Sequence, residues 1–309
     1  MNIQDLMYFN DLAKTRNFTE TAQNFYVSQP TITLALKRLE SEFNTNLFDR
    51  QRFSKTMTIT ETGKLLLAFS TKTTKQLEIT KKKIMDADNQ EVSFGFLPTI
   101  GGSLWPYFIP LLKGRTKHIS FHEEESSDKM LDLVTSGEVP IAIFGHPKPR
   151  INQENIVQIP LIKQAFTLWA KPNHPLAKKK RVSVADLKGE TFLSLSKGYT
   201  HERIFNHWLM KNDLVEDINI LYTQEIRTAL SIASTSDMLA FMAPILIDGH
   251  GDLVEIPIEN PPYFYISLAY NGAEKFGRYQ QDFNEEMANI AENLHEEFSN
   301  IKDFPIKNK

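Results

Sequence analysis

Apolar positions along the first sixty residues fall into three short blocks of helical spacing. Ile3, Leu6, Met7, Leu12 and Ala13 form the first, and Asn2 is placed to cap its start. A second, shorter block turns Ala22 and Phe25 inward. Thr19 can accept a backbone N–H at its start, and Glu20 suits the positive end of its dipole. The third block opens with Ser28 as N-cap and with Pro30 in the first turn, where a missing N–H costs nothing. On a wheel of about 100° per residue, Ile32, Ala35, Leu36 and Leu39 share one side. Pro30, Leu34, Lys37 and Ser41 fall opposite, flanked by Gln29 and Thr33. Residues 48–60, FDRQRFSKTMTIT, then predict two short strands around a basic tip carrying Arg50, Arg52 and Lys55.

From Thr60 a long helical stretch runs to Asn89. Its heptad-like seam of Leu66, Ser70, Thr73, Leu77, Thr80, Ile84 and Ala87 is weakly apolar, which suits pairing with a second copy only with help from flanking domains. Beyond Asn89 the pattern changes. VSFGFLP (92–98) predicts a strand, followed through a loop with Gly101 and Gly102 by a helix. Residues 118–126 predict a strand, SDKMLDLVTSGE a helix, and VPIAIFG (139–145) a buried strand. The order β-α-β-α-β indicates a parallel sheet covered on both faces. A second α/β unit begins near Gln164, with FTLWAK, a helix from about His201 to Asn212, INILYT, a helix through Ile226–Ser234, and MLAFMA. YFYISLAYN (263–271) is a further strand, and an amphipathic helix over Phe276–Phe298 closes the pattern.

Composition narrows the picture. A chain of 309 residues suits two or three domains, and 41% hydrophobic residues suffice for real cores. No stretch approaches the roughly 18 apolar residues of a membrane helix, and MNIQDLMYFNDLAK does not read as a signal peptide. The chain has no cysteine, which excludes disulfides, thiolate metal sites and cysteine nucleophiles and favours a cytoplasmic location. Net charge is -3, yet residues 1–90 carry 13 basic and 10 acidic side chains, the remainder 22 and 28. A mildly basic front on an acidic rear fits a chain with one polyanion-facing end.

Two short helices joined by a tight turn, the second offering polar side chains, form a helix-turn-helix. Gln29 can contact adenine bidentately, Thr33 several base edges, and Leu34 a thymine methyl. Pro30 and Thr31 lie on the same opening turn. Lys37, Arg38, Arg50, Arg52 and Lys55 suit phosphates, or the minor groove for a wing arginine. Signals for catalysis are weak: GxSxG, GxxxxGK and GxGxxG are absent. His118 and His122 lie in a strand-like run rather than in a helical HExxH. No catalytic residue, metal or cofactor is expected. The lysine runs KKKR (178–181) and KKK (81–83) read as solvated surface.

The stretch FTETAQNFYVSQPTITLALKRLESEFNTNLFDR closely resembles the winged helix-turn-helix of LysR-type transcriptional regulators. The resemblance is carried by Thr19, Ala22, Val27–Pro30, Thr33, Arg38–Glu40 and Leu47–Arg50, by TETG at 60–63, and by HPLAKKKRVSVADLKGETFL at 174–193. It implies an α/β protein with an N-terminal winged helix-turn-helix and linker helix, then a two-subdomain effector domain like a periplasmic binding protein. Residues 1–60 would be the DNA-binding domain, 61–90 the linker helix for dimerisation, and 91–309 the effector domain. Within the last, 91–163 with 269–309 would form one subdomain and 164–268 the other. The implied partners are a double-stranded operator of dyad symmetry, a homodimer or homotetramer, and a small anionic effector, with RNA polymerase a further candidate and no membrane. In the implied cleft, ligand groups meet strand ends and helix N-termini. Thr99, Gly102 and Ser103, Ser127, and His146 are expected from one lobe; Tyr199, Thr200, Thr223 and Arg227 face them from the other. The sequence also resembles the malolactic regulators of lactic acid bacteria within that family, which suggests a C4 or C6 carboxylic acid. One departure is Leu34, where the family often has arginine, followed by Ala35. The alternatives are a ligand-independent repressor whose rear half only assembles subunits, or a DNA-tethered enzyme.

Overall fold

The computed structural model describes residues 1–50, 57–112, 118–196, 198–247 and 252–300. The chain divides into two compact units, Met1–Met85 and Asp86–Lys309.

The first unit contains α1 (Ile3–Thr15), α2 (Phe18–Asn24), α3 (Gln29–Phe43), the antiparallel pair β1 (Phe48–Arg50) and β2 (Met57–Ile59), and most of α4 (Glu61–Asn89). Asn2 and Asp5 form a reciprocal capping box: the Asn2 side chain accepts from Asp5 N (2.7 Å), and the Asp5 carboxylate accepts from Asn2 N (3.2 Å). The cap of α2 is Asn17, not Thr19. Its Oδ1 accepts from the backbone N–H of both Thr19 (2.9 Å) and Glu20 (3.2 Å), so Thr19 is already inside the helix. Ser28 holds the N-cap position of α3, but its hydroxyl pairs with that of Thr31 at 2.9 Å instead of a backbone N–H.

Ile32, Ala35, Leu36 and Leu39 are buried on α3 and pack with Leu6, Phe9, Leu12 and Phe48. Each fully buried leucine or isoleucine contributes about 1.5–3 kcal/mol, which fixes the face that α3 turns outward. The buried stripe of α4 differs from the heptad reading. Its buried residues are Gly63, Leu66, Ser70, Thr74 and Ile79, and Ser70 and Thr74 are polar. Asn10 of α1 satisfies both, pairing with the Ser70 hydroxyl and donating to Thr74 Oγ1 at 3.1 Å. Thr73 and Thr80 instead bond back to the carbonyls of Phe69 and Gln76. Leu65, Phe69, Ile84 and Met85 are exposed.

The second unit is built on two five-stranded sheets. Its elements are β3 (Val92–Phe96), α5 (Pro98–Phe108), β4 (Ile119–Glu123), α6 (Ser127–Thr135), β5 (Ile141–His146), β6 (Ile156–Ala165), β7 (Thr167–Ala170), β8 (Thr191–Leu195), α7 (Thr200–Lys211), β9 (Asn219–Thr223), α8 (Ile226–Thr235), β10 (Leu239–Met242), β11 (Val254–Ile256), β12 (Tyr263–Asn271) and α9 (Arg278–Asn300). The first sheet has the order β4-β3-β5-β12-β6 and the second β11-β7-β10-β8-β9. Three strands of each are parallel, and antiparallel strands complete it: β12 beside β5 and β6, β7 beside β10 and β11.

The chain leaves the first sheet between β6 and β7 and returns between β11 and β12. Residues 263–268, expected in the second subdomain, therefore belong to the first sheet. Their pairing with both β5 and β6 holds them there, with Ile266 and Leu268 fully buried. At the crossing, Phe166 N donates to Pro262 O at 2.9 Å. The Phe166 ring is buried, stacked on Phe241 at 4.7 Å and edge-on to Phe264 at 6.0 Å. The pattern reading missed β6, which contains Pro160. Proline is tolerated because β6 is an edge strand, with a register shift between Ile266 and Ser267 opposite it. It also missed β8 and the three-residue β11. Gly101 and Gly102 lie inside α5 rather than in a loop. A Cβ on Gly101 would come within 2.2 Å of the Phe96 ring, so glycine is needed there for close helix–strand packing.

Candidate DNA-reading surface and effector cleft

On the first unit, α3 presents its non-core side to solvent. Gln29, Pro30 and Lys37 are exposed, Thr31 and Thr33 half-buried, and Leu34 is 55% exposed. The Thr33 hydroxyl donates to Gln29 O at 3.2 Å, which leaves its lone pairs outward. Arg38 departs from the expectation of a free phosphate contact. Its guanidinium binds both oxygens of the buried Asp5 carboxylate, tying α3 to α1. Arg52, Lys55 and the side chain of Arg50 lie outside the described residues. Tyr26 is a feature the pattern did not signal. It sits in the turn between α2 and α3, 97% exposed and left-handed at φ 54°. The turn closes through Val27 N to Ala22 O at 3.0 Å.

On the second unit, a cavity with about 1150 Å³ of empty space, part of it open to solvent, lies between the two sheets' helices. Its wall is made by the first turns of α5, α6, α7 and α8: Pro98, Thr99 and Ile100; Ser127; Thr200 and His201; Ile226 and Arg227. The first turn of a helix leaves N–H groups without intrahelical partners and carries the positive end of its dipole. Four such ends on one cavity favour an anionic group. Leu97, Leu195, Leu246 and Phe264 supply apolar wall, and Glu125, Tyr199, Gln224 and Glu225 complete the polar lining.

Two side-chain links cross the cavity mouth. Tyr199 Oη donates to Glu125 Oε2 at 3.1 Å, and Arg203 on α7 makes a two-pronged ion pair with Asp128 on α6. Partial burial, the Glu125 hydrogen bond and the charges of Glu124 and Glu225 push the Tyr199 hydroxyl above the usual phenol range. His201 is buried at the N-terminus of α7. Its Nε2 meets the Phe241 carbonyl, and its Nδ1 makes no hydrogen bond. Burial lowers its pKa to about 4, so the ring is neutral at pH 7.

Of the expected cleft residues, Thr99, Ser127, Tyr199, Thr200 and Arg227 line this cavity, and four do not. Gly102 is one turn too far along α5. The Ser103 hydroxyl donates to Ile245 O at 2.9 Å and so fastens α5 to the opposite lobe. Thr223 Oγ1 donates to Glu225 O at 3.0 Å as part of the turn before α8. His146 is buried between Ser267 Oγ (2.8 Å) and Lys148 O (2.6 Å), stacked on Tyr265. Burial holds its pKa below the usual histidine value. Its partners are all structural. Glu125, Gln224 and Glu225 were missed, because single polar residues in the turns before α6 and α8 carry no periodic signal; His201 lies within the 197–202 segment that the family resemblance places at the cleft. Among the described residues no His/Asp/Glu group suits a metal ion, and no helix is long and apolar enough to cross a membrane.

Residues 3–64 match the family described as "Bacterial regulatory helix-turn-helix protein, lysR family", and residues 86–288 match the "LysR substrate binding domain". The chain belongs to the LysR family. It is a LysR-type DNA-binding transcriptional regulator with an effector-binding domain. One relative, the malolactic fermentation system transcriptional activator of Lactococcus lactis, is 28% identical over 294 residues, covering 92% of this chain and 97% of the relative. Among solved structures, full-length CbnR complexed with its target DNA aligns with a TM-score of 0.61 at 18% identity, covering 94% of this chain and 100% of that one. The effector-binding domain of QuiR in complex with shikimate aligns with a TM-score of 0.55 at 18% identity, over 67% and 97% of the two chains. At such identities the structural likeness establishes the fold. It agrees with the helix-turn-helix followed by a two-sheet α/β domain seen in this LysR-type regulator.

Proposed function

We propose that this regulator works in the cytoplasm as a homodimer or homotetramer that reads an operator of dyad symmetry and changes its grip when a small acid binds the cleft. The outward face of α3 enters the major groove. There Gln29 and Thr33 meet base edges, Leu34 packs on a thymine methyl, and Lys37 meets phosphate, with Pro30 and Thr31 close to the backbone. The observation that carries this part is the division of α3 into a fully buried apolar stripe and an exposed polar one. Tyr26 joins the set as a phosphate contact, since an exposed phenol beside a reading helix has no core to fill. Arg38 is assigned to the fold. The basic tip of the expected wing, residues 51–56, lies outside the described residues. Exposed Leu65, Phe69, Ile84 and Met85 on α4 are the apolar surface a second copy would cover, and helix pairing of this kind sets the spacing of two reading heads.

Effector binding is assigned to the cavity between the lobes, with Thr99, Ser127, Tyr199, Thr200 and Arg227 as contacts. Four converging helix N-termini support an acid group there. The relative that is a malolactic activator and the relative structure that holds shikimate fit the same reading. A ligand shifts transcription only if it binds one arrangement of subunits better, and about 1–3 kcal/mol of coupling suffices. The deciding measurement is binding of the full chain to inverted-repeat duplexes and to random duplex at moderate salt, with and without the small molecules that co-purify. Selective binding, altered by a co-purified acid and desensitised by Thr99→Ala or Thr200→Ala, is expected. Equal binding to all duplexes under every condition overturns the reading.

A further inference from the structure

The cavity wall is chemically two-sided. Helix N-termini and Arg227 favour an acid, but Glu125 and Glu225 line the same space, so its carboxylates outnumber its cationic side chains two to one. Both glutamates, with Glu124, act electrostatically on the Tyr199 hydroxyl, which places their negative charge around one stretch of the rim. A ligand that carried carboxylates alone would be repelled there.

We propose, building on the reading of this cavity as the effector site, that its ligand is an amino acid or a close ampholyte. Its carboxylate lies at the helix N-termini with Arg227, and its ammonium meets Glu125 and Glu225. The apolar remainder rests on the aliphatic and phenylalanine wall.

The test uses the full chain and three series of acids matched in carbon skeleton: 2-amino acids, 2-hydroxy acids and unsubstituted acids, with linear, branched and aromatic members. Binding is read by calorimetry and by the rise in melting temperature that linkage requires. The amino member of one skeleton should bind at least about tenfold more tightly than its hydroxy and unsubstituted counterparts. Glu225→Gln, at an exposed position, should weaken it several-fold without changing the melting point of the free protein, and Glu125→Gln should weaken it as well while also altering the Tyr199 link between the lobes. A hydroxy or unsubstituted acid that binds as tightly, glutamine variants that bind normally, or no binding by any amino acid overturns the proposal. If an unsubstituted acid binds and Thr200→Ala abolishes it, the ampholyte falls and the effector site stands. If an amino acid binds indifferently to Thr200→Ala and Arg227→Ala, the site assignment itself falls.

Discussion

The reading face of α3 and the wall of the cleft solve recognition in opposite ways. On α3 the contacting groups are exposed side chains in one run of nine residues, standing on an apolar stripe that does not depend on them. In the cleft the contacting groups are helix first turns and side chains from seven separate stretches between residues 97 and 264. Several of them also hold the lobes together, as Tyr199 does through Glu125. Changing what α3 reads therefore costs the fold little, whereas changing what the cleft reads alters packing as well.

That contrast is open to direct attack. The largest effect belongs to Phe166→Ala at the crossing between the sheets. It should cost about 3–5 kcal/mol of stability, measured by denaturant unfolding of the full chain, because the ring is fully buried among Phe241 and Phe264. A loss under about 1 kcal/mol would mean that the lobes do not depend on this cluster. Next comes acid sensitivity. The folded pKa of His201 is about 4, below its unfolded value near 6.5. The unfolded chain then binds the proton first, so stability is retained above pH 6.5 and falls as pH drops through the interval to about 4. His201 would account for about 3 kcal/mol of that loss. His146, also lowered by burial, acts with the same sign. Melting profiles of wild type and His201→Gln should diverge at neutral pH and converge in acid; parallel profiles would contradict a neutral buried ring.

On α3 the pattern should reverse. Gln29→Ala should weaken operator binding by about 1–3 kcal/mol per half-site while unfolding stays within about 0.5 kcal/mol of wild type. Fluorescence anisotropy on matched duplexes, paired with a melt, decides whether affinity and stability separate in this way. Smallest is Leu34→Ala, expected to cost under about 1 kcal/mol of affinity and to relax preference at a single base step. Unchanged base preference would remove the apolar contact from the account.

How much of this was readable beforehand follows from the same contrast. The α3 face was legible because a period of 3.6 sorts core from surface within fifteen residues. The cap of α2 was misplaced by two residues, since Asn17 and Thr19 both suit a cap and only geometry chooses. Arg38 looked free because its partner, Asp5, lies thirty-three positions away. In the cleft, Thr99 and Ser127 were reachable from strand-to-helix junctions, Arg227 from its charge, and Tyr199 and Thr200 only through the family resemblance. Ser103 inside α5, His146 at the end of β5 and Thr223 at the end of β9 spend their polar atoms on Ile245, Ser267 and Glu225. Which hydroxyl remains available is decided by neighbours distant in sequence. The strand β6 was hidden by Pro160, whose tolerance depends on an edge position that topology alone reveals.

Ala165 and Tyr263 face each other in register on β6 and β12, one residue on either side of the bond between Phe166 and Pro262. The whole second lobe is thus an excursion that departs and returns through one gap between adjacent antiparallel strands. A two-residue hairpin turn across that gap would join β6 to β12 with their ladder unchanged. In architectural terms the second lobe is an insert, and the first is a host whose hairpin was opened to admit it.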